Sequence, residues 1–454
     1  MMMTKPVMTP IKRRRVGTTL FVSLILGGAV AVAGTAGGQQ PRGDEPPLPE
    51  NVVVDVDMIE SNVIRIGIPD LLGTGGTPTE AGEILRRDFH LMPGYRVIGP
   101  AQINFNTVSE GMGMDRGRWG GLQANGVIKG RVEGSGNSLT VEMKYFHLAS
   151  GSAPVLTETY RGAPTQLRRW MHDFGNKILA QITGIAGPFG THIAWAERIG
   201  PGRKDVKCAG MDGHAPRRVT DGQGIAMLPS FGPDDNIWFT RLTPTGMFVS
   251  HTGVRGRPVL EGNGLNMAPA ICNGKVFFVS SRDGNSEIYS SSLDGSGLRR
   301  LTNNRAIDVS PTCHPNGKVA FVSARHGNPQ IWIMNADGSH QRRLTFKGTH
   351  NQTPTFCPNP RRNVLAFTGR DHTLDIFTLD VASGEYNRIT QGQGMNKDPA
   401  WSPDCRIVAF TSNRRGAPGV YLASPLGFNQ NKIVDGAAET VAWQYEHWAG
   451  HASN

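Results

Sequence analysis

From about residue 190 onward the chain alternates short β-branched and aromatic runs with turns rich in Gly, Pro, Asn and Asp. The runs "NIWFT", "KVFFVS", "KVAFVS", "NVLAFT" and "RIVAFTS" each follow a segment opened by a proline, at 229, 269, 311, 354 and 399. These prolines are 40, 42, 43 and 45 residues apart, the period of a four-stranded propeller blade and not of a helical repeat. After the second strand of each unit comes a third, such as "QIWIM", then an Asp-Gly turn and a fourth strand ending in "RRVT", "RRLT" or "NRIT". Asp-Gly supplies the positive φ angles of a tight hairpin. The Leu or Ile of the fourth strand is expected between neighbouring sheets, with the adjacent arginines facing water and blunting an exposed edge.

Second strands number six once "THIAWAE" (191–197) is included, but that run has no first strand before it. The missing strand is supplied by "TVAWQ" (440–444), where Ala442-Trp443 repeats Ala400-Trp401 at a spacing of 42. The expected architecture is mainly β: an N-terminal α+β domain, then a six-bladed β-propeller closed by the C-terminal strand.

The pattern before residue 187 is different. "NVVVDVDMIE" and "NVIRIGIP" read as strands, and "TPTEAGEILRRDFHLM" as a helix with Thr77 as N-cap, Pro78 at the first helical position and Glu80 completing a capping box. Strands follow at "YRVIG", "ANGVIKGRVE" and "LTVEMKYFHL". Within 163–184, Leu167, Trp170, Met171, Phe174, Ile178, Leu179 and Ile182 fall at helical spacing and require one buried face. "GIAGPFG" then breaks the periodicity and places a domain boundary near 187.

The first 36 residues hold Lys5, Lys12, Arg13, Arg14 and Arg15, no acid, and an apolar run ending in small residues. This predicts a signal peptide over 1–36, cleaved after Ala33 or Ala36, and export; the arginines also suit a twin-arginine route. Residues 37–50 are a Pro/Gly-rich lead and 447–454 a tail, leaving 51–187 for the α+β domain and 188–446 for the propeller. Removing the leader takes five positive charges from a formal +10 and leaves +5, too ordinary a balance to indicate a nucleic-acid partner.

Cys208, Cys272, Cys313, Cys357 and Cys405 are odd in number and lack CxxC spacing, which argues against zinc. They are expected to be small buried apolar residues. No G-x-S-x-G elbow and no HExxH occurs. "GTGGT" (73–77) lacks the Lys-Ser/Thr of a phosphate cradle, "RDGNSE" (282–287) lacks the acids of a calcium loop, and Glu446, His447 and His451 read as a solvated tail. No cofactor and no metal is expected.

The phrase "PAWSPDCRIVAFTSNRRGAPGVYLAS" resembles the PD40-type repeat, and "LRRWMHDFGNKILAQITGIAGPFGTHIAWAE" resembles the junction of TolB-family proteins, where the last helix of the N-terminal domain runs into the first blade. The resemblance covers nearly the whole chain after the leader. It implies a monomeric, non-enzymatic adaptor of the periplasmic Tol-Pal system that binds a Pal-like peptidoglycan-associated lipoprotein through its propeller, supports outer-membrane integrity and envelope constriction, and engages TolA through its N-terminal segment. It also implies that Asn266 and Ala268 before Pro269, with Asp308 and Val309 in the next loop, make partner contact. The loops "EGNGLNMA", "NNRAIDVS", "FKGTHNQT" and "QGQGMNKD" read as polar and Gly/Asn-rich, suited to a wet, reversible interface. A propeller enzyme with polar residues converging on the channel, or a glycan-binding module with aromatic platforms on one rim, is the alternative.

Overall fold

The computed structural model describes residues 63–445, apart from 256 and 417. The leader, the lead, the strand expected at "NVVVDVDMIE" and the tail lie outside the described residues. The N-terminal region contains a five-stranded sheet in the order β2-β1-β3-β4-β5, formed by β1 (Ile64–Gly67), β2 (Tyr95–Ile98), β3 (Gly126–Ser135), β4 (Ser138–His147) and β5 (Leu156–Gly162). β1 runs parallel to β2 and β3, and β3, β4 and β5 are antiparallel.

Helix α1 (Thr77–Leu91) and, after the short helices α2 (Thr107–Glu110) and α3 (Arg116–Gly121), helix α4 (Leu167–Thr183) complete this region. α1 starts one residue earlier than expected. Gly76 is its N-cap and no side chain caps it, so the Thr77–Glu80 box does not form; Pro78 still occupies the first turn. α4 buries Trp170, Met171, Phe174, Ile178 and Leu179, and Gly184 ends it in the left-handed conformation. On the opposite side of the sheet, Trp119 of α3 packs on Gly67, where a Cβ would stand 2.3 Å from the indole.

The remaining chain is sheet. β6 (His192–Gly200), β7 (Arg203–Gly210), β8 (Arg217–Arg218), β9 (Ile225–Phe231), β10 (Ile237–Thr243) and β11 (Gly246–His251) belong with the C-terminal β28 (Ala438–Trp443) to one seven-stranded sheet. Its halves are joined through β7 and β9 by one residue pair, Lys204 with Ile225. β28 is antiparallel to β6, with Trp443 opposite Ile193 and Ala442 opposite Ala194.

Four four-stranded antiparallel sheets follow. They are β12 (Asn266–Cys272), β13 (Lys275–Ser280), β14 (Glu287–Ser292) and β15 (Arg299–Arg300); β16 (Asp308–His314), β17 (Lys318–Ser323), β18 (Gln330–Asn335) and β19 (Arg342–Arg343); β20 (His350–Phe356), β21 (Val364–Arg370), β22 (Leu374–Asp380) and β23 (Tyr386–Arg388); and β24 (Asn396–Trp401), β25 (Val408–Ser412), β26 (Gly419–Ala423) and β27 (Asn431–Asp435). The first strands β9, β12, β16, β20, β24 and β28 surround a common cavity, the arrangement of a β-propeller.

The recurring "RRLT" ending has a buried purpose. Its Leu or Ile packs inside, as Leu301, Leu344 and Ile389 do. Arg217, Arg218, Arg299 and Arg342 face water as expected, but Arg300 and Arg388 turn inward. Arg300 reaches Glu287 at 3.0 Å and Arg388 reaches Asp375 at 2.6 Å. The Thr hydroxyl donates to the same group: Thr302 to Glu287 (2.6 Å), Thr345 to Gln330 (2.6 Å), Thr390 to Asp375 (2.7 Å) and Thr220 to Asp205 (2.7 Å). Each hydroxyl also accepts a backbone N–H of the third strand. A buried acid therefore has its donors supplied by the strand that closes the blade, as burial of charge demands.

Four of the cysteines are not merely apolar fillers. Cys272 pairs with Cys313 and Cys357 with Cys405, with Cα atoms 6.3 and 5.5 Å apart, so each disulfide joins neighbouring sheets. Their 41- and 48-residue separations track the repeat, which brings equivalent blade positions side by side. Cys208 is free and buried, and burial pushes its thiol up to about 11.

Candidate partner-binding face

Each first strand is broken at the same place. Leu228, Ala268, Ser310, Thr353, Asp398 and Thr440 have positive φ, between 44° and 56°. Five of them precede a proline, at 229, 269, 311, 354 and 399. Proline cannot donate to the ladder, so it is accommodated where a bulge interrupts pairing. The register shifts there between Met267 and Ala270, Val309 and Thr312, Gln352 and Thr355, and Lys397 and Ala400. Several of the displaced backbone N–H groups are satisfied by hydroxyls of strands they do not pair with: Ala268 by Thr240 at 2.9 Å, Asp398 by Thr368 at 3.0 Å and Leu228 by Thr440 at 3.3 Å.

These bulges ring a cavity of about 200 Å3. The prolines, Trp401 and Trp443 make its wall apolar, and among the described lining residues Asp398 is the one charged group. Its carboxyl is pushed above the usual carboxylate range by burial, against the opposing effect of Lys397 and the Thr440 N–H.

The four residues singled out from sequence divide. Ala268 is half-buried and lines the cavity. Asn266 and Asp308 are fully buried and occupy equivalent places in a second repeated clamp. Arg282 donates from Nε to Ser280 (2.9 Å) and from a terminal nitrogen to Asn266 (2.9 Å). Arg325 does the same with Ser323 (2.9 Å) and Asp308 (2.6 Å), and Arg414 with Ser412 (3.0 Å) and Asn396 (2.9 Å). Each guanidinium also stacks on an aromatic ring, Arg325 at 4.4 Å from the centre of Trp332 and Arg414 at 4.7 Å from that of Tyr421. Burial pushes the Asp308 carboxyl up, opposed by Ser323 and Arg325. Val309 is buried opposite Val322, and its neighbour Ser310 is the residue at the repeat position of Ala268. The available sequence signal was the residue immediately before each proline.

The loops leading into the first strands are less polar than they read. Phe346 and Met395 are 58% and 45% exposed, and Ile225, Leu265 and Ile307 are half-buried. Among the described residues, one group of His, Cys, Asp or Glu side chains is close enough to share a metal ion, Asp88 with His172 and Asp212, and none of the three lines the cavity. No helix among the described residues is long and apolar enough to cross a membrane.

Comparison with known proteins places these features. The family model described as the TolB beta propeller domain matches residues 179–368 and 348–444. The Tol-Pal system protein TolB of Anaeromyxobacter dehalogenans strain 2CP-C is 30% identical over 308 residues, 64% of this chain and 68% of that protein. The Tol-Pal system protein TolB of Desulfosudis oleivorans is 31% identical over 194 residues, 42% of this chain and 44% of that protein. With this relative and a TolB homolog of Chlorobium luteolum, of which 38% is covered, the match spans about two fifths of the relative's length. The crystal structure of TolB from Acinetobacter baumannii superposes with a TM-score of 0.75 at 20% identity, over 85% of this chain and 97% of that one, a likeness of fold.

Proposed function

The chain belongs to the TolB family, and on that premise we propose that it is a non-enzymatic adaptor of the Tol-Pal system, acting in the periplasm after its leader is removed. In this reading residues 51–187 form one domain and residues 188–446 a propeller of six blades. The weak link between β7 and β9 divides the seven-stranded sheet into two blades, and β28 closes the ring by completing the first. Six first strands carrying the same bulge support that count.

The partner is a Pal-like lipoprotein, received at the mouth of the channel where the loops precede the first strands. The observation that carries this reading is the ring of bulged residues, with prolines behind it and small side chains at Ala268 and Ser310 leaving room for a partner. Asn266 and Asp308 serve the contact by holding the rim through their arginine clamps, and Val309 by packing behind Ser310. The exposed Phe346 and Met395 give the face apolar anchors of the kind that dominate interface energetics. Contact with TolA is assigned to the N-terminal segment, outside the described residues.

Titration of the purified mature chain with a Pal-type periplasmic domain tests this. Ala268→Arg should weaken binding at least tenfold, about 1.4 kcal/mol, with an unchanged melting temperature. Substitutions at Asn266 or Asp308 break a buried clamp and should lower stability as well. Equal affinity of Ala268→Arg and the parent, both folded, would move the interface away from the channel.

A further inference from the structure

We propose that Asp88, His172 and Asp212 form a proton-linked latch between the N-terminal helices and the first propeller strands, closed while the Asp88–His172 pair holds its proton and loosened when that proton is lost. Asp88 stands on α1, His172 on α4, and Asp212 in the turn after β7, with one ligand-type atom of each within 4.8 Å of the others. All three are buried, Asp88 completely. The His172 Nδ1 lies 2.7 Å from Asp88 Oδ2, and the other Asp88 oxygen has no partner.

Asp212 is differently placed. One of its oxygens accepts the His214 N–H at 3.0 Å, the other meets the Arg168 guanidinium, and its backbone carbonyl accepts from Arg87 at 3.3 Å. Asp212 is thus held by cations from both helices, whereas Asp88 depends on His172 alone. A divalent ion here would have to displace or face Arg168, so the donor set suits a proton better than a metal.

The charged groups facing the pair among the described residues are Arg168 on the histidine's own helix, Arg87 on the aspartate's helix, and Asp212 on the propeller turn. With one proton on the pair the cluster is two neutral couples, Asp88 with His172 and Asp212 with Arg168. Without it, a buried carboxylate is left uncompensated, which is costly. Burial pushes the Asp88 carboxyl above its ordinary 3.8, with His172 pulling the other way. A carboxyl raised in the folded state contributes stability that is complete below 3.8 and is lost as pH rises through the raised value. The linker is seated on the ring: a Cβ at Gly190, whose φ is +79°, would lie 3.3 Å from His172 Cβ. Loosening the pair therefore acts where the helices pass into β6.

Hydrogen exchange of the mature chain between about pH 4 and 8, the span from ordinary carboxylate to above ordinary imidazole titration, tests the latch. Rates are corrected for the intrinsic pH dependence of exchange. Release of one proton on opening predicts that the opening constant of residues 77–91 and 167–183 rises about tenfold per pH unit inside the titration window, while residues 275–292 stay flat. Asp88→Asn should abolish the slope, and His172→Gln, which removes the group that pulls the Asp88 carboxyl down, should extend the window to higher pH while keeping its sign. Flat protection in the parent, or an unchanged slope in Asp88→Asn, would overturn the proposal. If Asp88→Asn does not fold, an unmoved window in His172→Gln does so. Protection that zinc adds and a chelator removes would overturn it in favour of a metal centre.

Discussion

The blades running from β12 to β23 and the seam where β6, β24–β28 and the N-terminal helices meet are held together differently. In the former, a Thr and a basic residue of the fourth strand satisfy an acid or amide of the third. In the seam, sheets lean on helices: Trp195, Val420, Leu422 and Trp443 share one apolar cluster with Phe89, Trp170 and Phe174. β27 carries Lys432 and Asp435 where the other fourth strands carry the basic-apolar-Thr ending. The seam also buries polar atoms without protein partners, including the Tyr95 and Tyr145 hydroxyls, one Asp404 oxygen and one Arg406 nitrogen. Burial pushes both tyrosines up to about 12. The blades leave such atoms too, Asp308 Oδ1 and Asn351 Oδ1 among them. But a blade whose third-strand acid or amide is served by its own fourth strand is a unit that can be copied, and a seam has to be fitted once.

The largest test of that contrast is removal of the C-terminal strand β28. A chain ending at Glu439 loses Trp443, which is buried and donates to Thr191 at 2.8 Å. It should lose about 4 kcal/mol or more, the scale of truncating a core aromatic, measured by denaturant unfolding of the mature chain. Melting like the intact protein would reject the seam as a stability element. Next in size, Cys313→Ser with Cys272→Ser should cost about 3–4 kcal/mol through the freed 41-residue loop. Its effect on hydrogen exchange should fall on β12–β19 and spare α1 and α4.

Thr302→Val leaves Glu287 buried with one donor fewer, and should cost about 1–3 kcal/mol by thermal unfolding; the same change at Thr183, on the seam, should cost less because its helix end is partly exposed. The smallest effect is at Cys208, buried, with its thiol up at about 11. Iodoacetamide at neutral pH should leave the folded chain unmodified, and one thiol should react after unfolding without reductant. A second reactive thiol would mean that a disulfide between the blades is not formed.

Much of the propeller was legible because blade construction is local. The Pro-opened first strand, the β-branched second strand and the Asp-Gly turn repeat within about forty residues, and the pairing partner of "THIAWAE" was found by matching Ala442-Trp443 to Ala400-Trp401. The helix of Leu167–Thr183 was equally plain from its apolar spacing. Thr77 misled because a Thr-Pro-x-Glu string satisfies the local capping rule whether or not the chain enters the helix in a capping geometry. Of the residues named for the candidate face, Ala268 lines the cavity and Val309 stands one residue from the lining Ser310, since a bulge shifts which side chain faces inward and periodicity of two cannot see it.

The repeat, its period and the strands within it could be read from residue order alone, because they follow from nearest-neighbour backbone chemistry and the burial alternation of single strands. Packing settled which cysteines pair, which arginines turn inward, and that Asp88, His172 and Asp212, separated by 84 and 40 positions along the chain, share one buried space. Those outcomes depend on which surfaces meet when sheets and helices pack, and a carboxylate carries no mark in the sequence of the cation that will lie beside it.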